Sequence, residues 1–228
     1  QMLEYFPVTK FIHYYHLDSD GVKEISFFND VLTTKCCIMK IFIENVKLKS
    51  DSITCPYLQF SKVVGAKGKC LQDNGRILSM SGYGIMCVTE LDLDILQRQY
   101  DFGTIKVIDM YIAERGSFPE PLKECIIDFF KKKEKLPKDS IDYMKSKNHL
   151  NAIYGMSVTA IIRDIIVYNF NSGKFEKTQP NEKDGSKQLN EYYDNYNSFM
   201  PYQIGIYVTA HCRHALIDLI EKIGYDKF

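Results

Sequence analysis

The chain has 228 residues, 45% of them hydrophobic, which is enough to bury a core in one large domain or two small ones. Lysine plus arginine equals aspartate plus glutamate at 29 each, so no overall field draws the chain to a polyanion, and any nucleic-acid site must be a local cluster. Seven cysteines, with Cys36 and Cys37 adjacent and no C-x-x-C pair, favour reduced thiols in a cytosol over a disulfide framework. His13 and His16 are three apart but have no partnering His or Cys nearby, so no metal is expected there. No apolar run of about twenty residues occurs, and the expectation is a soluble cytoplasmic protein without a membrane partner. Gln1-Met2-Leu3 reads like the middle of a helix, as in a segment of a longer chain.

In chain order, the first seventeen residues mix aromatic and apolar side chains and end in the turn signal Asp-Ser-Asp-Gly at 18–21. Strand-type runs follow at Ile25–Phe28, Cys36–Ile43 and Tyr57–Val64, with turn clusters at Lys49–Ser52 and Gly65–Lys69 between them. Asn74-Gly75 predicts a hairpin. Gly82-Tyr83-Gly84 leads into a strand at Ile85–Thr89, and Thr89 or Glu90 opens a short helix over Leu91–Tyr100. Thr104–Ile112 reads as another strand.

The character changes near Pro119. Pro121–Lys133 has apolar residues at 122, 126, 127, 129 and 130, the spacing of an amphipathic helix, and Leu136-Pro137 breaks it. Asp139 or Ser140 can cap a second helix reaching about Gly155. Ile161–Phe170, Asn171-Ser172-Gly173 and Lys174–Thr178 read as a β-hairpin. Residues 180–198 are polar and are expected to be a loop or surface insertion, before a last helix at about Thr209–Ile223.

The stretch with chemical content is Lys147-Asn148-His149-Leu150-Asn151-Ala152-Ile153-Tyr154-Gly155. On a helix Lys147, Asn151 and Tyr154 fall within about 60° of one another, so one face carries an ammonium, an amide and an aromatic ring in a column. A nucleoside triphosphate uses such a set: a point charge for phosphate, a hydrogen-bonding amide and a flat ring for the base. Gly155 beside the ring would allow a close approach. On spacing alone such a stripe is usually just a solvated helix face.

K-x-x-x-N-x-x-Y-G resembles the fingers motif B of family B DNA polymerases, with Lys147, Asn151, Tyr154 and Gly155 matching and Ala152 replacing the usual Ser. Downstream, Tyr207-Val208-Thr209-Ala210-His211-Cys212-Arg213 resembles the T-x-x-[GA]-R motif of the protein-primed phage and plasmid members, with Cys212 in the small position. Gln1–Pro7 resembles the helix after the motif A sequence S-L-Y-P, and Gly224–Phe228 the approach to motif C, Y-x-D-T-D. The resemblance covers essentially the whole chain in the family's order, but neither aspartate motif is among the 228 residues.

What the resemblance implies is specific. Lys147 would contact the phosphates of an incoming dNTP, Tyr154 would line the nascent base pair, and Lys131 or Lys132 on the preceding helix would add a triphosphate contact. Thr209 and Arg213 would contact the primer strand of a DNA template–primer, although an N-cap Thr and an exposed Arg are the plain reading of those two residues. Mg²⁺ or Mn²⁺ would serve the intact parent enzyme, held by the absent aspartates, and the segment itself would be silent, with no catalytic or metal residues. The D-x-D of Asp92 and Asp94 falls at a helix start, where acids favour the dipole.

The hairpin near 165–178 stands where protein-primed members carry an insertion that helps encircle DNA, and a terminal protein is a possible primer. The fold implied is α+β: an antiparallel palm-type sheet with flanking helices and a helical-hairpin fingers subdomain. Its expected division is 1–118 palm, 119–160 fingers, and 161–228 hairpin insertion with a palm helix. A phage or plasmid origin would place it in a bacterial cytoplasm. Two other readings stay open, a non-catalytic polymerase-like module that only binds DNA or nucleotide, and a plain α+β interaction protein.

Overall fold

A computed structural model describes residues 5–17, 21–50, 52–158, 160–195 and 202–227. The fold is α+β, with a mostly antiparallel sheet. Short strands β1 (Phe6–Pro7), β2 (Ile12–His16) and β3 (Lys23–Glu24) all pair with one edge of the long strand β7 (Tyr100–Gly116). The other edge of β7 continues through β4 (Lys35–Leu48), β6 (Arg76–Thr89) and β5 (Val64–Asp73), every pairing antiparallel. Helix α1 (Asn29–Thr34) precedes β4, and α2 (Glu90–Gln99) joins β6 to β7.

Alternation explains the long strands. Cys37, Met39, Ile41 and Ile43 of β4 bury the same face. Asn45, at φ +49°, then interrupts the ladder, so Val46 and Leu48 return to the core on the opposite parity. The Asn45 side-chain oxygen accepts from Gly82 N–H at 3.2 Å across the pair. Gly82 in turn lies opposite Gly68, at φ +142° and +99°, where each backbone presses on the other. The Asn74-Gly75 turn has φ +46° and +75°, as a two-residue hairpin requires.

By contacts the chain divides into two units, Gln1–Ile126 with Tyr207–Phe228, and Ile127–Ile206. The first holds the sheet and its core, and α6 (Tyr202–Ile223) enters it to set Ile217 and Ile220 against Ile95 of α2. The second holds most of α3 (Glu120–Lys135), α4 (Ile141–Ser157), the hairpin of β8 (Ile165–Asn169) and β9 (Lys174–Thr178), and α5 (Glu182–Asp194).

Several expectations are corrected. Ile25–Phe28 is a 3₁₀ turn, because its two buried residues, Ile25 and Phe28, are three apart. Most of Tyr57–Val64 is irregular: its backbone bonds go outward, Phe60 N–H to Gly75 and the Leu58 carbonyl from Ile77, with a 3₁₀ turn at Phe60–Lys62. Gly65–Lys69 is part of edge strand β5, whose irregular register absorbs the positive φ of Gly65 and Gly68.

Within 180–198, α5 replaces the expected loop: the Asn181 side chain caps Asp184 N–H at 2.9 Å, and Glu182 and Asp184 favour the first turn. The last helix begins at Tyr202, seven residues before Thr209. Gln1–Glu4 and residues 18–20 lie outside the described residues, and Phe6–Pro7 pairs as a strand with Arg115 and Gly116 in place of a helix.

A Cβ at Gly82 would sit 2.0 Å from the Lys67 carbonyl oxygen. Gly82→Ala is therefore expected to destabilise the protein by roughly 1–3 kcal/mol or more. Urea unfolding should show a lower midpoint with an unchanged slope, and an unchanged midpoint would contradict the close approach.

Candidate nucleotide and nucleic-acid site

Helix α4 starts where the sequence breaks. Ser140 caps it, accepting from Tyr143 N–H at 3.2 Å while its hydroxyl donates to the Pro137 carbonyl at 2.8 Å. Ser146 and Ser157 are its buried residues, whereas Lys147, Asn151, Tyr154 and Gly155 are exposed. Among the described residues Lys147 forms no ion pair. A Cβ added to Gly155 would meet nothing within 4 Å, so the space beside Tyr154 is open. The end of α4 is held by its own unit: Gly205 is buried against Ser157 and Val158, where a Cβ would come within 2.3 Å of the Val158 side chain.

Phe129 of α3 meets His149 of α4 with ring centroids 4.7 Å apart. His149 is about 200° round the helix from Lys147 and from Asn151, so the two helices touch on the side of α4 away from the column. Lys132 is paired with Asp128 at 2.6 Å and lies 5.8 Å from the Phe129 ring centroid; Lys131 is exposed. Among the described residues no bond or ring contact brings Lys131 or Lys132 to Lys147.

In the first unit, Thr209 and Arg213 are half-buried on α6. Thr209 lies within the helix and is not its N-cap. Arg213 Nε and Nη2 donate to Asp92 Oδ1 at 3.1 and 2.8 Å, and the Tyr57 hydroxyl donates to the same oxygen. Burial works against the guanidinium charge, but the adjacent Asp92 carboxylate outweighs it and the Arg213 pKa is raised. The other Asp92 oxygen closes the α2 capping box, accepting from Thr89 N–H at 3.2 Å and the Thr89 hydroxyl at 2.9 Å.

Asp94 contacts Arg98 at 3.1 Å and His214 at 2.9 Å. With both carboxylates engaged by cations and caps, Asp92 and Asp94 do not fit a divalent cation. Among the described residues no cluster of three His, Cys, Asp or Glu could hold a metal. No helix among them is long and apolar enough to cross a membrane.

Sequence reasoning missed Glu90, the residue that seats α6. It accepts from Tyr207 Oη at 2.7 Å, Tyr5 Oη at 3.0 Å and Cys37 N–H at 2.8 Å, and it is buried. Burial raises its pKa, opposed by the hydrogen bonds from Tyr207, Cys37 and Tyr5. The hydrogen-bond geometry accommodates the neutral acid. Tyr207 Oη has one proton and two acceptors, Glu90 and the Cys37 carbonyl at 3.1 Å, so a protonated Glu90 can supply the missing hydrogen.

A carboxyl whose pKa rises on folding contributes stability below its ordinary value of 4.5, and that contribution is lost as pH rises through the folded value. Relative to Glu90→Gln, wild type should lose stability as pH climbs above about 4.5. Parallel denaturation curves across that window would contradict the assignment. Glu90→Ala leaves the buried Cys37 N–H and the Tyr5 hydroxyl without this acceptor, while Tyr207 keeps only the Cys37 carbonyl, and should cost about 2 kcal/mol below pH 4.5.

No protein-family signature matches the chain, and no curated protein matches it. Solved structures do. The chain is similar to Phi29 DNA polymerase in its orthorhombic crystal form, with a TM-score of 0.58 and 17% identity over 99% of this chain and 34% of that one. It is also similar to that polymerase complexed with primer-template DNA, at a TM-score of 0.60 and 17% identity over 99% and 33% of the two chains. Against the ternary complex with primer-template DNA and incoming nucleotide the values are 0.61 and 16%, over 99% and 34%. The chain spans about a third of the length of these polymerases, and at such identity the likeness shows the fold.

Proposed function

We propose that this chain forms the nucleotide-facing and primer-facing parts of a DNA-dependent DNA polymerase of the protein-primed family B kind, whose activity is templated dNTP addition. The observation that carries the reading is the exposed column of Lys147, Asn151 and Tyr154 on α4, in a chain whose whole length takes a polymerase-like fold. Lys147, without a protein counter-ion among the described residues, is the phosphate contact. Tyr154 supplies the ring against the nascent base pair, Asn151 an amide between them, and Gly155 the open space that lets a base or template backbone come close. Lys131 or Lys132 adds charge from α3.

In this reading the helical hairpin of α3 and α4 is the fingers, within 119–160, and 1–118 and 161–228 belong to the palm and its insertion. Thr209 and Arg213 face the primer strand. Asp92 fixes the guanidinium of Arg213 through Nε and Nη2, which leaves its remaining N–H groups for a phosphate. A terminal protein is a candidate primer, and a bacterial cytoplasm the setting if the gene belongs to a phage or plasmid. Mg²⁺ or Mn²⁺ would be held by the two aspartate motifs of the family, which are not among the 228 residues. A second reading, a polymerase-like module that binds DNA or nucleotide without catalysis, draws on the engagement of both Asp92 and Asp94 in structural ion pairs.

Lys147→Ala removes a charge-assisted contact worth on the order of 1.5–3 kcal/mol. Binding of dNTP to the chain should weaken roughly tenfold or more, while affinity for primer-template DNA barely changes. Arg213→Ala should do the reverse, lowering the salt slope of DNA binding by about one. Fluorescence titrations of both variants with labelled dNTP and labelled DNA check this, and loss of DNA binding with normal dNTP affinity in Lys147→Ala would overturn the α4 assignment. Primer extension with Mg²⁺ by the chain alone is expected to stay at background; templated incorporation would overturn the assignment of catalysis to residues outside it.

A further inference from the structure

The first unit contains a cavity of about 330 Å³ whose charge is unbalanced. Three cations line it, Lys62, Arg76 and Arg213, against one carboxylate, Asp92. Asp92 is already matched by Arg213. Arg76 is held only by neutral acceptors. Its Nη1 donates to the Tyr57 carbonyl at 2.8 Å. The Gln59 side-chain oxygen, in the amide orientation that satisfies both groups, accepts from Nη1 and Nη2 at 3.2 and 3.1 Å. Among the described residues neither Arg76 nor Lys62 forms an ion pair.

A half-buried guanidinium oriented by two carbonyl-type oxygens keeps its full charge while losing part of its hydration. Such a group is matched best by an anion that brings several acceptor oxygens. The rest of the wall points to what accompanies that anion. Leu58, Met86, Val88 and Ile217 give the lining an apolar part, and the Tyr57 hydroxyl meets the Asp92–Arg213 pair. An apolar wall with a few convergent polar groups is the usual form of a small-ligand site, and this one is large enough for a single nucleotide unit.

We propose that this cavity binds one phosphate-bearing nucleotide unit, with Arg76 and Lys62 on the phosphate and the apolar wall against the sugar or base. The proposal deepens the polymerase reading, since Arg213 lines the same cavity, but it rests on the charge and shape of the cavity and not on the α4 column. The phosphate can come from a nucleic-acid strand or from a free nucleotide.

Two exposed thiols in the lining, Cys55 and Cys87, report on occupancy, and exposed Cys125 on α3 lies outside it as an internal control. Alkylation of the whole chain would be followed residue by residue by mass spectrometry, with deoxyadenosine monophosphate, unphosphorylated deoxyadenosine or a twelve-nucleotide single strand present. The monophosphate, the strand or both should slow alkylation of Cys55 and Cys87 relative to Cys125, and deoxyadenosine should not. Protection by monophosphate alone identifies a free nucleotide as sufficient; protection by the strand alone identifies a backbone phosphate.

Arg76→Met and Lys62→Met should each raise the concentration needed for protection by about tenfold. Lys62 is exposed on a short turn, so its variant keeps the test valid if Arg76→Met fails to fold. Lys147→Ala should leave the protection intact, which separates this site from α4; a loss of α4 nucleotide binding in that variant with Cys87 protection retained bears on the polymerase reading alone. The proposal is overturned if no probe protects the two thiols, if deoxyadenosine protects as well as its monophosphate, if both cation variants are protected like wild type, or if Lys147→Ala abolishes the protection.

Discussion

The buried carboxyl of Glu90 joins three stretches of chain that are far apart in sequence. It meets Cys37 at the start of β4, Tyr5 before β1, and Tyr207 on α6. Removing an ionised carboxylate from water costs several kcal/mol even after relaxation, so such a group persists only where its surroundings supply donors or let it take up a proton. Here they do both. The Tyr207 hydroxyl binds Glu90 and the Cys37 carbonyl together, which fixes where α6 lies on the sheet. His211, one turn further along α6, reaches the Tyr5 carbonyl at 2.7 Å, and Arg115 stacks over the Tyr5 ring. The α6 helix therefore enters the first unit in one position, and the placement of Arg213 follows from it.

Beyond that anchor, polar contacts join α2 to α6 in two groups. Asp92 takes Arg213, and Asp94 and Asp218 both reach His214. Arg98 gathers Asp94, Asp218 and Glu221 at 2.5–3.1 Å. Individually exposed pairs of this kind contribute little, but a network that shares partners over two helices holds their register. The apolar contacts of Ile95, Ile217 and Ile220 lie alongside. Arg213, held through Nε and Nη2 by Asp92, presents its remaining N–H groups in a fixed direction, and the proposed phosphate contact rests on that geometry.

The two units differ in how they are stabilised. The first has a large core in which strand after strand buries alternate residues. In Ile127–Ile206, Ile204 alone among the described apolar side chains is buried, and Phe170 and Phe175 of the hairpin are 89% and 75% exposed. Its helices and hairpin rest on local devices: the Ser140 and Asn181 caps, the Phe129–His149 contact, and the close fit of Gly205 on Ser157 and Val158. Few buried apolar contacts are the structural mark of a segment with low local stability.

How much was legible follows the range of the forces involved. Turns, caps and breaks act between residues a few positions apart, so the Asn74-Gly75 hairpin, the Ser140 cap, the break at Leu136-Pro137 and the Lys147–Asn151–Tyr154 column could all be read from the sequence. Strand-type runs marked the Cys36–Ile43 part of β4 and the Thr104–Ile112 part of β7, but not the Asn45 irregularity or the full strand lengths. Short apolar runs were ambiguous, and Ile25–Phe28 turned where a strand was expected because two of its side chains found a core three residues apart.

What only the tertiary structure decided is which distant groups meet. Asp92 looked like an ordinary helix-start acid, and its partner Arg213 stands 121 positions away. Glu90 gave no sign of burial, since a glutamate at a helix start is normally solvated, and only the convergence of β4, α6 and Tyr5 removes its water. Arg76 and Lys62 share a cavity because β6 and the segment before β5 are packed side by side. Local propensity is written in neighbouring residues; desolvation and charge pairing depend on what the folded chain brings within a few ångströms.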